Sequence, residues 1–406
     1  MMSSASWSPG RSGADWIRTP HVVVLTNVAA PYRLPAFRQL ALHVRLTVIY
    51  CGERGRDDLP WRIDEEGEPF ASIRLNSRSL RIGKSTLYLS PRIMLTLWRL
   101  KPTVIVSGGF SLSTVYASIY SAARRAPLLI FSDGTHNSER RNPRSRNSRL
   151  QDMVRWVVVR RSAGAIAASK PAAERFEELG YDPSRVHIAL HSTEMERYWT
   201  VGAERREIEG PVRFLFVGRL IDGKGLDHLL EAFADVSQRY PGVTLRIVGR
   251  GPLGEQLRRK TVTERISGVI FVDFVDQESL PAIYEQAQVF VFPTLGDTFG
   301  MAMLEAAAAG LAIVSSPWAG ANDHLVVEGV SGTIVDPTDR EAMADALAQL
   351  ARQPSLVAAW GRETHRLSRA HTVDGTVNGY VQAIRQAEDE GSHRWVRDRL
   401  DLYDED

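Results

Sequence analysis

VFVFPTLGDTFGMAMLEAAAAGLAIV, residues 289–314, is the stretch whose reading decides the fold. Val289 to Phe292 is a continuous apolar run, as a strand buried on both faces requires. A turn follows over Pro293 to Gly296, then a segment rich in Ala, Leu and Met, all strong helix formers. The helix should open near Thr298 to Gly300, with Gly310 where a C-cap belongs and a second strand from Leu311. Such a βαβ unit aims backbone N–H groups beyond the carboxyl end of its first strand, where ligands of open α/β sheets bind. Two acids frame that place: Asp297 in the turn and Glu305, eight positions on, inside the helix. Both would repel a bare phosphate. A polyol suits them better, because carboxylates accept hydrogen bonds from hydroxyls while Phe299 and Gly300 offer N–H donors. Either acid taken alone reads as a capping or solvated residue; the whole stretch reads as a binding site.

Working outward, PVRFLFVGRLIDGKGLDHLLEAF (211–233) repeats the pattern, with strand Phe214 to Val217, turn Gly218 to Gly223 and helix Leu226 to Phe233. Arg219 and Lys224, five residues apart, are the only cations of this Gly-rich loop and could close on one diphosphate. TLRIVGRGP (244–252) is the next strand and turn, ending on Gly249 and Gly251, and VIFVDFV (269–275) is read as a further strand carrying Phe274 and Val275. A C-terminal helical stretch covers roughly 339–390.

The 289–314 stretch resembles the donor-binding signature of retaining nucleotide-sugar glycosyltransferases of family 4, which carry two acids at this separation around a Phe-Gly pair. The 218–225 loop resembles that family's diphosphate-binding segment, 244–252 its step beside the nucleotide base, and WAGANDHLVVEGVSGTIV (318–335) the segment after the signature strand. The resemblance is close over 211–335 and loose before it. It implies a GT-B fold, two Rossmann-like α/β domains facing across a deep cleft. Donor contacts would come from Gly218, Arg219, Lys224, Gly249, Gly251, Phe274, Val275, Asp297, Thr298, Phe299, Gly300, Met301 and Glu305. The first acid would meet the transferred sugar and the second the ribose. Asp297 is shorter than the family's usual Glu, and Asp273 stands where members usually have Gly.

In the first half, HVVVLTNV (21–28), VRLTVIYCG (44–52), TVIVSGGF (103–110), the start of APLLIFSDGTHNSERR (126–141) and GAIAAS (164–169) read as strands. The stretch 53–70 reads as an irregular excursion and 87–100 as a helix. Pro31, Tyr32, Arg33 and Pro35 resemble an entry segment found in some family members, which makes Tyr32 and Arg33 candidate acceptor contacts. Family members place a histidine beside the reacting sugar; His136 is the candidate here, as a catalytic residue with Arg219, Lys224 and Asp297, and Asp133 is a second polar acceptor contact. Residues 140–161 hold eight arginines against one acid, Asp152. They read first as a solvated helix; contact with an anionic membrane or acidic acceptor is the alternative.

At 406 residues the chain should form two domains. The expected divisions are a disordered tail at 1–20, an acceptor domain at 21–195, a donor domain at 205–374 and a charged tail at 392–406, with a helix near 375–391 returning to the first domain. A net charge of +2 argues against nucleic acid as the partner. A single cysteine, Cys51, excludes an internal disulfide framework and fits a cytoplasmic, reducing compartment. The sequence contains no apolar run long enough to span a membrane. No metal-ligand spacing and no nucleophile elbow occurs, and no G-x-G-x-x-G follows the first strand, so neither metal nor nicotinamide cofactor is expected. The implied function is metal-independent, retaining transfer of a hexose from a UDP- or GDP-sugar to a hydroxyl of a glycan, lipid-linked or small-molecule acceptor. The alternatives are a nucleotide-sugar 2-epimerase of the same fold and a non-catalytic nucleotide-sugar-binding protein.

Overall fold

The computed structural model describes residues 19–27, 29–52, 67–75, 78–82, 85–136, 149–205 and 209–400, and among these described residues fifteen strands, many of them continuous apolar runs, build the frame. The first seven-stranded sheet takes β1 (His21–Thr26), β2 (Arg45–Tyr50), β3 (Ala71–Arg74), β6 (Val104–Gly108), β7 (Leu128–Ser132), β8 (Gly164–Ala167) and β9 (Val186–Ile188). Its order is β3-β2-β1-β6-β7-β8-β9, parallel throughout. β1 shows why: all of its residues are buried, so both sheet faces must be covered by helices. One face packs on the helices Leu34–Leu40 and Val373–Leu400 through Phe37, Leu40, Val377 and Ile384. The other packs on Arg92–Leu100, Leu112–Arg124, Arg149–Arg161 and Lys170–Glu178 through Ile93, Leu97, Ala117, Val158 and Phe176.

The second sheet takes β10 (Arg213–Val217), β11 (Thr244–Val248), β12 (Val269–Val272), β13 (Val289–Phe292), β14 (Ala312–Ser315) and β15 (Gly332–Ile334), in the order β12-β11-β10-β13-β14-β15. It too is parallel. The strand order reverses between β10 and β13, whose register pairs Phe214 with Val289. Contacts divide the chain into two compact units. The first ends at Thr193 and resumes at Thr372 with the helix Val373–Leu400; the second is Glu194–His371 together with Thr135 and His136.

Two expectations for the elements are corrected. The start of the stretch 87–100 is not helical: Ser85–Leu89 (β5) pairs antiparallel with Arg78–Ile82 (β4), and the helix begins at Arg92. Ser90-Pro91 punctuates the chain there, because proline disfavours helical geometry at the residue before it. The strand read over 269–275 ends at Val272; Asp273 lies exposed at its end, holding Arg258 at 3.1 Å and Arg250 at 3.5 Å. Residues 53–66 and 137–148, which include most of the predicted irregular excursion and part of the arginine-rich segment, lie outside the described residues, as do the chain ends 1–18 and 401–406.

Candidate donor site at the strand-order reversal

The loops that follow β10 and β13 lie at the carboxyl ends of adjacent strands where the sheet changes winding direction, the place at which open α/β sheets take ligands. Backbone hydrogen bonds tie them together. The Leu295 N–H donates to Gly223 O at 2.9 Å, and the Thr294 hydroxyl donates to the same carbonyl at 3.1 Å. Gly225 enforces the fit: its φ is +65°, and a Cβ there would stand 2.0 Å from Pro293 O. The turn after β11 joins them through the Leu220 N–H, which donates to Arg250 O at 3.0 Å.

This interlock brings Lys224 and Asp297 together as an ion pair, both side chains about one-fifth exposed. Lys224 also sits 5.2 Å from the centre of the Phe292 ring. The other oxygen of Asp297 accepts from the Phe299 N–H at 3.2 Å, and its backbone bridges to Trp318 and Gly320. One of the two N–H donors expected to face a ligand is therefore taken by Asp297 itself. Arg219 is half-buried in the same loop, directly after Gly218. Phe299 is buried, with its ring 5.8 Å from that of His371, whereas Thr298 is exposed. Gly300 opens the helix Met301–Ala308 at φ 103° with no side-chain cap, and a Cβ there would stand 2.8 Å from the Phe292 ring. Phe274 is exposed and Val275 half-buried, beyond the end of β12.

Glu305 behaves differently from Asp297. Its helix is hydrophobic nearly all round and buried from Met303 to Ala308, so the carboxyl enters the core. Burial pushes its pKa up to about 7, a rise moderated by the Tyr284 hydroxyl, which donates to it at 2.8 Å. Tyr284 belongs to the helix Leu280–Glu285, and its ring stands 5.6 Å from that of Tyr198. The two acids that frame the stretch thus differ in their surroundings: one is paired with Lys224, the other is desolvated. Tyr284 was not singled out in the sequence, since a tyrosine on the apolar face of a short helix carries no signal beyond core packing. Tyr284→Phe should cost about 2 kcal/mol, the usual worth of a hydrogen bond to a charged group, measured by urea unfolding at pH 8, where Glu305 is mostly ionised. An unchanged midpoint would remove this bond from the stability of the unit.

In the first unit, Arg33 donates to the Thr26 hydroxyl at 3.0 Å and lies over the Phe131 ring at 5.0 Å. Burial opposes its charge, but Tyr32, Tyr380 and Asp133 favour it and hold its pKa above the ordinary value. His191, also absent from the sequence-based candidates, sits edge-on to both Tyr32 and Phe131 and 3.7 Å from Asp133. Tyr32, Arg33 and His191 line one small cavity with Phe131 and Tyr380. His136 is exposed, at the last described position before residue 149, and groups with the second unit. Among the described residues, no group of three or more His, Cys, Asp or Glu side chains is arranged to hold a metal ion.

HepE of Anabaena, solved with UDP and glucose, matches with a TM-score of 0.70 over 90% of this chain and 99% of its own, at 16% identity. Sucrose-phosphate synthase from Thermosynechococcus elongatus gives 0.69 over 90% and 98%, at 18% identity. The fold is GT-B. Both GT-B domains also match family models, residues 21–189 a glycosyl transferase 4-like domain and residues 211–353 the glycosyl transferases group 1. A D-inositol 3-phosphate glycosyltransferase of Corynebacterium urealyticum is 33% identical over 54% of this chain and 53% of its own length. A GDP-mannose-dependent alpha-(1-6)-phosphatidylinositol monomannoside mannosyltransferase of Mycolicibacterium smegmatis is 35% identical over 36% and 40%. The chain spans about half the length of the curated relatives it matches. In fold and in both domain models, this GT-B protein is similar to glycosyltransferases.

Proposed function

We propose that the chain is a retaining glycosyltransferase moving a hexose from a UDP- or GDP-sugar to a hydroxyl of a glycan, lipid-linked or small-molecule acceptor, without a metal. The observation that carries this reading is the Lys224–Asp297 pair at the strand-order reversal of the second sheet. A cation and an acid in contact there suit the two halves of an activated sugar: the diphosphate calls for Lys224 and Arg219, the sugar hydroxyls for Asp297. Lys224 would exchange part of its contact with Asp297 for the diphosphate, and Asp297 would turn its freed oxygen to the sugar. As the diphosphate leaves, charge builds on its oxygens, which the cations and the uncapped start of the helix Met301–Ala308 stabilise. The acceptor hydroxyl attacks on the face the diphosphate leaves and gives its proton to a β-phosphate oxygen. Glu305 takes the ribose. Gly249, Gly251, Phe274 and Val275 flank the base, while Tyr32, Arg33 and Asp133 contact the acceptor and His136 the reacting sugar. The proposal places the chain in the cytoplasm, with residues 140–161 against the anionic inner face of the membrane.

The test combines binding and product analysis. UDP- and GDP-sugars are screened by thermal shift; the stabilising donor is then incubated with a panel of acceptors, with and without EDTA. Glycoside of retained anomeric configuration, formed equally with EDTA, is the expected product. Free 2-epimer, or no conversion of a donor that binds, would overturn the reading.

A further inference from the structure

On one side of the first sheet, the helices Arg92–Leu100, Leu112–Arg124 and Arg149–Arg161 lie side by side, the middle one touching both others. Each is anchored by apolar residues turned to the strands: Ile93 and Leu97, Ala117 and Tyr120, Val158 and Val159. What is unusual is the opposite side. Leu95, Trp98, Ile119, Met153, Trp156 and Val157 are all exposed, Trp98 by 44% and Trp156 by 56%. Their spacing explains this: Leu95 and Trp98 are three apart, as are Met153 and Trp156, so each pair occupies one outward stripe. Single exposed apolar residues are ordinary on a protein surface; six on three adjoining helices are not.

Among the described side chains of these three helices the charges have one sign. Arg92, Arg99, Lys101, Arg124, Arg160 and Arg161 are exposed. Neither 92–101 nor 112–125 contains an acid, and the third helix has only Asp152, whose side chain lies outside the described ones. Two arginines sit over the two tryptophans, Arg124 at 5.3 Å from the Trp98 ring and Arg160 at 4.4 Å from that of Trp156. The fourth helix of the layer, Lys170–Glu178, carries Glu174, Glu177 and Glu178 and bounds the cationic region.

We propose that this three-helix face docks on an anionic lipid bilayer, with Trp98 and Trp156 at headgroup depth and the arginines on lipid phosphates. Tryptophan rings prefer that interface, and arginine stems lie along apolar surface while their heads reach phosphate. Charge complementarity selects the lipid: a face whose described charged side chains are cationic is drawn to anionic headgroups and not to zwitterionic ones. The inference extends the membrane contact proposed above from one arginine-rich segment to three helices. It is tested by lipid binding alone, so its failure leaves the glycosyl-transfer reading standing.

The experiment is co-sedimentation of the full chain with vesicles of phosphatidylcholine alone or with about one-third phosphatidylglycerol. Binding should occur with phosphatidylglycerol, fall at least about tenfold without it, and weaken in high salt. Trp98→Glu with Trp156→Glu should reduce binding at least about tenfold; the Trp98 ring stands edge-on to the buried Tyr120 at 5.7 Å, so the thermal midpoint should fall, and binding is read well below it on protein shown folded by circular dichroism. Arg92→Gln, Arg99→Gln and Arg161→Gln together give a second variant that keeps every apolar residue of the face and both arginine–tryptophan contacts, and should show a similar loss. Equal sedimentation with both vesicle types, or wild-type binding by folded variants, would overturn the proposal. So would concentration-dependent dimerisation abolished by the same substitutions, which would assign the face to a second copy of the chain.

Discussion

Lys224→Ala should lower glycosyl transfer by about 10²-fold or more, the scale on which removing one preorganised electrostatic donor acts. In the proposed reaction the effect should fall mainly on kcat, because the charge Lys224 would meet on the diphosphate grows as the sugar departs. Its ion pair with Asp297 makes a purely structural loss the competing explanation. Both partners are about one-fifth exposed, so truncating the lysine leaves an acid that water still reaches. A fall in activity should therefore come without collapse of the fold, checked by the thermal midpoint of the variant. Asp297→Asn completes the comparison. If the pair mattered only as a brace, Lys224→Ala, Asp297→Asn and the double variant would show the same small loss; separate roles at diphosphate and sugar give losses that differ and largely add. Turnover unchanged in Lys224→Ala removes this residue from the mechanism.

Between about pH 5 and 8 Glu305 should make the protein less stable as pH rises, and Glu305→Gln should remove that loss. Burial has raised the carboxyl from an ordinary 4.5 to about 7. A folded-state pKa above the unfolded one means that the folded chain binds the proton more tightly. Its stabilising contribution is complete below about pH 4.5 and is lost as pH passes 7. A displacement of that size corresponds to about 3 kcal/mol, an upper figure for a group in a buried network. His21, pushed down to about 4 by burial, and His324, also lowered by burial, work in the opposite sense at the acid end. The difference between wild type and Glu305→Gln isolates the carboxyl from them. Denaturant midpoints at pH 5.5 and 8 measure it. Parallel profiles for the two proteins would show that Glu305 is not the group responsible.

Much of the second domain was legible because its signals are local. The apolar run Val289–Phe292, the turn glycines and the Ala-rich helix each announce their own conformation, and Lys224 and Asp297 stand at strand ends in the sequence as they do in the fold. The first half was less legible. The β4–β5 hairpin is fixed by pairing between its arms, and a helix period ran on into it across Ser90. His191 was not among the sequence-based candidates, yet Phe131 and Tyr32 stand edge-on to it. Nothing near His191 in the chain marks it.

The sequence by itself determined the parallel α/β class, the order of the βα units in the second half and the placing of Lys224 and Asp297 in loops at strand ends, since strand burial, helix propensity and turn chemistry act over a few neighbours. Only the tertiary structure decided what each charge experiences. Asp297 is met by a lysine 73 positions away and Glu305 by the hydroxyl of Tyr284, 21 positions away. Desolvation depends on everything packed around a group, and that is set when the sheet closes, not by the residues beside it in the chain.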